Sequence, residues 1–405
     1  MIYLSIAILF AIIFIYSISS RAIEKLPING ALFFCILGFA FGPYGFGFLE
    51  TNIEVETIRL LAEMALALIL FTDAANTDLK VLMKSIGLPR RLLLIGLPLT
   101  ILFGMAAGMV LMPSLMLLEV ALLATMLSPT DAALGKSVVT SPAVPMNIRE
   151  GLTVESGLND GICVPIVLSL LTVAIHPHLA DSIGRLAVAL LVKEIGIGLI
   201  VGIASAYVGS VLMGIAHKRH WLSPSWKQLT VAALALFSFS LAPVAGGSGF
   251  IASFTGGLAF GYFYKKHKEE MVISAEGIGD SLSLVAWVVF GAGVVGQVLL
   301  TVTIENVIYA ILSLTVLRMV PVYIALWGQP LGFAEKSFIG WFGPRGLATI
   351  VFVIMTLDAH LPSAQAVSAT AACTVFLSVV LHGLSANPFV RMLFGTKPKQ
   401  HQQDH

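Results

Sequence analysis

Residues 155–161 read Glu-Ser-Gly-Leu-Asn-Asp-Gly within an otherwise apolar stretch. On a helix, positions four apart share a face. Ser156 therefore lies beneath Asp160, and Glu155 beneath Asn159, on adjacent but distinct faces. A carboxylate stacked on a hydroxyl suits a dehydrated hard cation, which takes oxygen ligands. The carboxylate on the other face is placed to pair with a fixed positive charge. Gly157 and Gly161 leave room for a neighbouring backbone. A second interruption, Ser128-Pro129-Thr130-Asp131, offers a hydroxyl and a carboxylate, and unwinding there frees carbonyl oxygens as neutral ligands. Asp73 ends the run LALILFTDAANTDL and is assigned to the same cavity. The candidate cation- and proton-binding set is Asp160, Ser156, Thr130, Asp131, Asp73 and Asn159. Of these, Asp160, Asp73, Ser156 and Thr130 are the expected ligands of a transported sodium ion.

These groups need a reason to be there, because an ionisable residue at membrane depth costs roughly 2.5–3.5 kcal/mol on insertion scales. The expected intramembrane charges are Glu63, Asp73, Asp131, Glu155, Asp160, Arg318 and Arg345. For Glu63 and Asp73 a structural hydrogen-bonding role competes with an ion-binding one. Arg318, in LSLTVLRMVPVY, is the only basic residue near mid-span and needs a buried acidic partner. Arg345 sits in Gly343-Pro344-Arg345-Gly346, across from Asp131, as an accessory group. Gly277-Ile278-Gly279-Asp280 matches the G-x-G-D of intramembrane aspartyl proteases. That chemistry needs two carboxylates sharing a proton, and the usual Tyr-Asp companion is absent, so an enzyme is not expected.

The elements that must position these residues are apolar helices. The chain is 58% hydrophobic and 11% charged, where soluble domains run near 25% charged. Its mean hydropathy is +0.95. The expected fold is an all-α polytopic membrane protein of about thirteen transmembrane helices, near 2–19, 29–48, 56–76, 91–112, 115–137, 149–175, 190–215, 227–243, 248–264, 273–297, 304–327, 335–357 and 364–388. Of the 23 basic residues, all but five fall on one side of this arrangement. Arg59, Arg185 and Lys193 fall on the other, and Arg318 and Arg345 lie within spans. The positive-inside rule makes the basic side cytoplasmic, with the N-terminus outside and the C-terminus inside.

An odd count permits two inverted six-helix repeats around a linker helix. The fifth and twelfth spans then carry paired Gly/Pro interruptions, which are pointers to a site built from broken helices. The first apolar run has no basic residue before it and is expected to be a retained helix. The stretch 178–193 reads as a surface segment. The transmembrane domain fills 1–390, and 391–405 is a short cytoplasmic tail with no soluble domain after it. Cys35, Cys163 and Cys373 fall in apolar runs as packing residues, with no metal spacing among them. The histidines fall in loops or tails, with His382 near the last cytoplasmic end, and form no ligand set.

LSPTDAAL, ESGLNDG, LALILF followed by an acid, an arginine in the eleventh span and GPRGLA together resemble the NhaP-type branch of the sodium/proton antiporters. The resemblance covers nearly the whole chain. It implies a homodimer in which core helices, about 91–175 and 304–388, move against dimerisation helices, about 1–76 and 190–297. It implies that Asp160 binds cation and proton in turn, with Ser156, Thr130, Asp131 and Asp73 around it. Glu155 and Arg318 resemble the family's buried ion pair, and Arg345 a second functional arginine. Many microbial relatives carry Glu where this chain has Asp73, which puts the ion preference in doubt. A free aspartate titrates near ~3.9, so competition near neutral pH requires a site that disfavours its charged form. With Asn at 159 rather than a second carboxylate, one titrating group carries the exchange, and the expectation is electroneutral one-for-one Na+ (or Li+)/H+ antiport. K+/H+ antiport stays open, because the ligands barely separate the two ions. No cofactor and no nucleic-acid partner are expected, and the location is the cell (inner) membrane.

Overall fold

The computed structural model describes residues 2–23, 29–49, 55–132, 134, 138, 141–175, 183–265, 268–359 and 361–395. All regular elements among them are helical: α1 Ile2–Ile23, α2 Gly30–Phe41, α3 Val55–Asn76, α4 Leu79–Ser85, α5 Gly87–Leu111, α6 Leu117–Met126, α7 Met146–Ile175, α8 Ile183–Lys218, α9 Pro224–Val244, α10 Gly249–Phe263, α11 Lys268–Val295, α12 Ile304–Ala325, α13 Phe333–Trp341, α14 Leu347–Asp358 and α15 Ala364–Phe394. Among the described residues, eight helices are long and apolar enough to cross a bilayer, and α2, α6, α10 and α14 are shorter apolar helices. With every internal backbone group paired within its own segment, such helices are one of the two structures that can span a membrane. The chain is a multi-pass membrane protein.

The sequence explains the first irregularity, in α5. Pro98 lacks an N–H and crowds the carbonyl four residues back. The turn before it, Leu92–Gly96, widens so that the Leu97 N–H reaches the Leu92 carbonyl. The span read as 304–327 is interrupted once, at Thr315, whose carbonyl accepts from both Arg318 N (3.2 Å) and Met319 N (2.8 Å). The helix restarts there with Arg318 in its first turn. The stretch read as one span over 115–137 is helical over Leu117–Met126 and leaves helical geometry over Leu127–Asp131, and residues 133 and 135–137 lie outside the described residues. The surface segment read at 178–193 lies partly outside the described residues, and its described part already belongs to α8. The tail from 396 also lies outside them.

α3 is the central strut. It carries Arg59, Glu63 and Asp73, yet Ala62, Ala65, Ala67, Leu68, Phe71 and Ala75 are fully buried. It packs on α10, α11 and α14, and α10 packs on α8 and α7. α5 packs on α6, and α15 on α12 and α14. Glycines set the closest approaches. A Cβ on Gly38 would strike the Val288 backbone and one on Gly291 the Cys35 backbone, so α2 and α11 cross main chain to main chain. Small residues permit such contact where lipid supplies no hydrophobic drive. Glu63 pairs with Arg59 one turn away at 2.8 Å, a local structural role. The three cysteines are buried free thiols.

Candidate functional site

The site is built where two broken helices cross beside α7. α6 ends at Met126, and α13 and α14 are separated by Phe342–Gly346. Each break supplies what the other lacks. The Asp131 N–H donates to the Pro344 carbonyl at 2.7 Å. The Asp131 carboxylate accepts from Leu347 N, at the start of α14, at 3.0 Å and from Leu134 N at 3.3 Å. Arg345 Nη1 donates to the carbonyls of Ser128, Pro129 and Gly343 at 3.3, 3.1 and 3.1 Å. Thr349 Oγ1 donates to the Met126 carbonyl at 3.0 Å. An acid thus sits at a helix N-terminus and a guanidinium beyond a helix C-terminus, as the helix dipole favours. These bonds answer backbone groups that the two breaks would otherwise leave orphaned. Arg345 is fully buried and Asp131 is buried. A Cβ on Gly346 would run into the Asp131 carboxylate, so the crossing needs a glycine there.

α7 lies against this crossing. Ser156 Oγ donates to the Thr130 carbonyl at 2.8 Å and accepts from Ala132 N at 2.9 Å. Asn159 Nδ2 donates to Thr130 Oγ1 at 2.8 Å. Ser156, Asn159 and Asp160 are all buried. Two oxygens remain unanswered: Asn159 Oδ1 and Asp160 Oδ1 have no hydrogen-bond partner among the described residues. A buried, unsatisfied acceptor carries a full desolvation penalty. Both are acceptors that the described residues leave open on the α7 stretch facing the crossing. Gly157 and Gly161 are covered by Phe254 and Ile251 of α10, whose side chains occupy the space a Cβ would need. A cleft lined by Thr130, Asp131, Leu152, Ser156, Phe342 and Pro344 adjoins the crossing.

On the other face of α7, Glu155 meets Arg318 of α12 in a two-pronged pair, Nη1 to Oε1 at 2.6 Å and Nη2 to Oε2 at 2.9 Å, with both side chains 2% exposed. The fork geometry suits a guanidinium and a carboxylate. Asp73 is half-buried on α3, one turn beyond Ile69, which shares a buried cluster with Leu127 and Leu347 of the two breaks.

The expectations from sequence omitted one buried acid and did not anticipate the burial of one histidine. Glu119, in the first turn of α6, is 2% exposed. Its oxygens accept from Met116 N and from Ser363 N, at the start of α15, at 2.9 Å each. An acid three residues into an apolar run is a capping signal, and Glu119 was legible as that. His382, read near the last cytoplasmic end, is 1% exposed, because it lies on the α15 face turned to the twelfth-span break. A larger cavity of about 700 Å³ lies elsewhere, near the Leu111–Leu115 link and the starts of α12 and α15, and includes none of the candidate site residues.

The family model described as "Sodium/hydrogen exchanger, transmembrane" matches residues 8–392. Among curated proteins, the K(+)/H(+) antiporter NhaP2 of Shewanella baltica is 23% identical over 371 residues, covering 91% of this chain and 63% of that protein. The Na(+)/H(+) antiporter 2 of Zygosaccharomyces rouxii is 25% identical over 378 residues, covering 84% of this chain and 45% of its own length. The chain thus spans less than two thirds of the curated relatives it matches. Among solved structures, the sodium proton antiporter MjNhaP1 from Methanocaldococcus jannaschii superposes with a TM-score of 0.77 at 21% identity, covering 98% of this chain and all of that one. At that identity the likeness concerns the fold.

Proposed function

Since the chain belongs to the sodium/hydrogen exchanger family, whose members are transporters rather than enzymes, we propose that it exchanges Na+ (or Li+) for H+, one for one, by alternating access. The observation that carries this reading is the pair of buried, unanswered oxygens on Asn159 and Asp160. Asp160 holds a proton or a cation in turn. Ser156 Oγ and Thr130 supply neutral oxygens, Asn159 supplies an amide oxygen, and Asp131 and Asp73 add negative charge around the site. Na+ is cargo, and no resident cofactor takes part. Glu155 and Arg318 neutralise each other and fasten α7 to α12. Arg345 holds the broken ends in place.

In the same reading the chain crosses the cell membrane thirteen times, N-terminus outside and C-terminus in the cytoplasm, and serves pH homeostasis. Spans one to six and eight to thirteen form inverted repeats, with α6 and the α13–α14 pair as the equivalent broken spans. The core helices, about 91–175 and 304–388, move against the scaffold helices, about 1–76 and 190–297, which also form a homodimer. A second reading, K+/H+ exchange at the same site, is favoured by the Shewanella relative, a K(+)/H(+) antiporter by name.

Purified protein in proteoliposomes tests both. Sodium, lithium and potassium pulses against an imposed pH gradient distinguish the cations, and Asp160→Asn is expected to abolish every response while still inserting in the membrane. Wild-type exchange by that variant would falsify the carrier role. A potential of 100 mV is worth ~2.3 kcal/mol per net charge moved. Clamping it with valinomycin and potassium should therefore leave the sodium-driven endpoint unchanged. A marked shift would exclude one-for-one exchange.

A further inference from the structure

α15 presents Ser378, His382 and Ser385 at helical spacing toward the break between α13 and α14, and each is engaged there. Ser378 Oγ accepts from Arg345 N at 2.7 Å. His382 Nε2 lies 2.8 Å from the carbonyl of Trp341, the last residue of α13. His382 Nδ1 lies 3.1 Å from Ser378 Oγ and 2.9 Å from the Ser378 carbonyl. Ser385 Oγ accepts from Trp341 Nε1 at 2.9 Å.

Nε2 faces a carbonyl, which only accepts, so it bonds the Trp341 oxygen when it carries a hydrogen. Nδ1 faces an acceptor, the Ser378 carbonyl, and a hydroxyl that can donate or accept, Ser378 Oγ. Of the two neutral tautomers, only the Nε2–H form bonds α15 to α13; the Nδ1–H form would bond Ser378 within its own helix. The contacts run from Arg345 N–H to Ser378 Oγ, from Ser378 to His382 Nδ1, and from His382 Nε2 to Trp341 O. They tie the end of α13 to Arg345, two residues before α14, across Phe342–Pro344. Arg345 and Pro344 are the groups of this break that reach over to the fifth span.

We propose that His382, as a neutral Nε2–H imidazole supported by Ser378, is a positioning residue for exchange: it fixes the width of the twelfth-span break and thereby the placement of Arg345 and Pro344 against Thr130 and Asp131. This assignment rests on the exchange reading above, but the bracing itself is measured separately. His382 touches no cation-binding oxygen, so its loss acts on turnover and not on cation affinity.

The test uses purified, reconstituted wild type, His382→Gln, His382→Phe and Ser378→Ala. Gln keeps an N–H that can reach the Trp341 carbonyl, and Phe keeps only the ring. His382→Phe should lower the maximal exchange rate about tenfold, the scale of leaving a buried acceptor unanswered, with the cation KM within about twofold. Backbone hydrogen exchange should rise over residues 341–346 and stay unchanged in α7. His382→Gln should recover most of the rate and of the protection, and Ser378→Ala should raise exchange at the Arg345 amide. In ¹⁵N-histidine spectra, the signal missing from His382→Gln should report one protonated nitrogen, Nε2. A Gln variant as slow and as unprotected as Phe, a Phe variant with wild-type rate and protection, or a signal from a doubly protonated or Nδ1–H ring would overturn the proposal. If wild type exchanges no cation, the exchange reading fails, while the hydrogen-exchange and ring-tautomer results still decide whether the brace exists.

Discussion

The two helix breaks are closed by the same device and used for different ends. At the fifth-span break a serine from the next long helix, Ser156, bonds the exposed backbone at Thr130 and Ala132. At the twelfth-span break a serine from its next long helix, Ser378, bonds the exposed backbone at Arg345. Four residues on from each serine, on the same helical face, stands an ionisable side chain: Asp160 in α7 and His382 in α15. There the two diverge. His382 has both ring nitrogens within hydrogen-bond reach of α13 or of Ser378, whereas Asp160 keeps a buried oxygen with no partner. The atoms left open also differ in kind: beside α7 they are acceptors, on Asn159 and Asp160, whereas at the twelfth-span break they are donors, Nε and Nη2 of Arg345. Satisfaction of buried polar groups is the rule, and a pair of open acceptors is the kind of exception that suits a cation.

The largest expected effect tests what joins the two halves. Glu155 sits one residue before Ser156 and is answered by Arg318, so a buried ion pair closes the α7 face adjacent to the site. Removing one partner of a buried pair strands the other charge, at a cost of roughly 3–5 kcal/mol. Glu155→Gln and Arg318→Ala should each lower the thermal midpoint in detergent strongly, and the double variant should recover part of the loss. Additive losses in that double-mutant cycle would show that the pair is not what binds α7 to α12. Loss of cation affinity at intact stability would move Glu155 into the ion site.

A smaller effect is expected at Gly346. The fifth-span break carries the side chains of Thr130 and Asp131, whereas the twelfth must leave a gap for that same Asp131 carboxylate. Gly346→Ala forces the two apart, and overpacking of this kind costs typically 1–3 kcal/mol. Exchange should fall with stability, and Asp131→Ala placed in the Gly346→Ala background should cost less than it does alone. If Gly346→Ala is silent in both stability and transport, the crossing is looser than the Asp131–Leu347 bond implies.

Much of this was legible before any coordinates, and the reasons are physical. A charge in an apolar run stands out because it is expensive, so Asp160, Glu155, Arg318, Asp131 and Arg345 could be named individually. Proline and glycine weaken a helix interior, so Ser128–Asp131 and Gly343–Gly346 could be marked as breaks, although Pro165 and Pro321 lie within helices. Pairing was less legible. Nothing in the spacing of Glu155 and Arg318 says that they touch; opposite charge and family resemblance suggested it, and the fold brings them together. Least legible were groups whose role depends on what another segment leaves unbonded. His382 carries no local signal that it faces the Trp341 carbonyl. Glu119 signals a helix cap, but nothing in its own neighbourhood says that it also receives Ser363 N. The interruption at Thr315 had no proline or glycine beside it to announce it.

The smallest effect separates the two breaks most cleanly, because it makes the same change at both. Ser156→Ala and Ser378→Ala each delete one buried hydroxyl and leave backbone groups unanswered, so each should cost on the order of 1 kcal/mol of stability. Their effect on transport should differ. Ser156 stands one turn below Asp160 and adjoins the oxygens left open for cargo. Its loss should raise the cation KM roughly fivefold, the equivalent of ~1 kcal/mol. Ser378 faces only Arg345 and His382, so its loss should leave that KM within about twofold and act through the rate. Titration of initial exchange rate against cation concentration in proteoliposomes, at a pH where wild type is half-saturable, reads both. Equal shifts in KM would mean that the second break shapes the ion site as directly as the first, and the division between a binding break and a bracing break would fall.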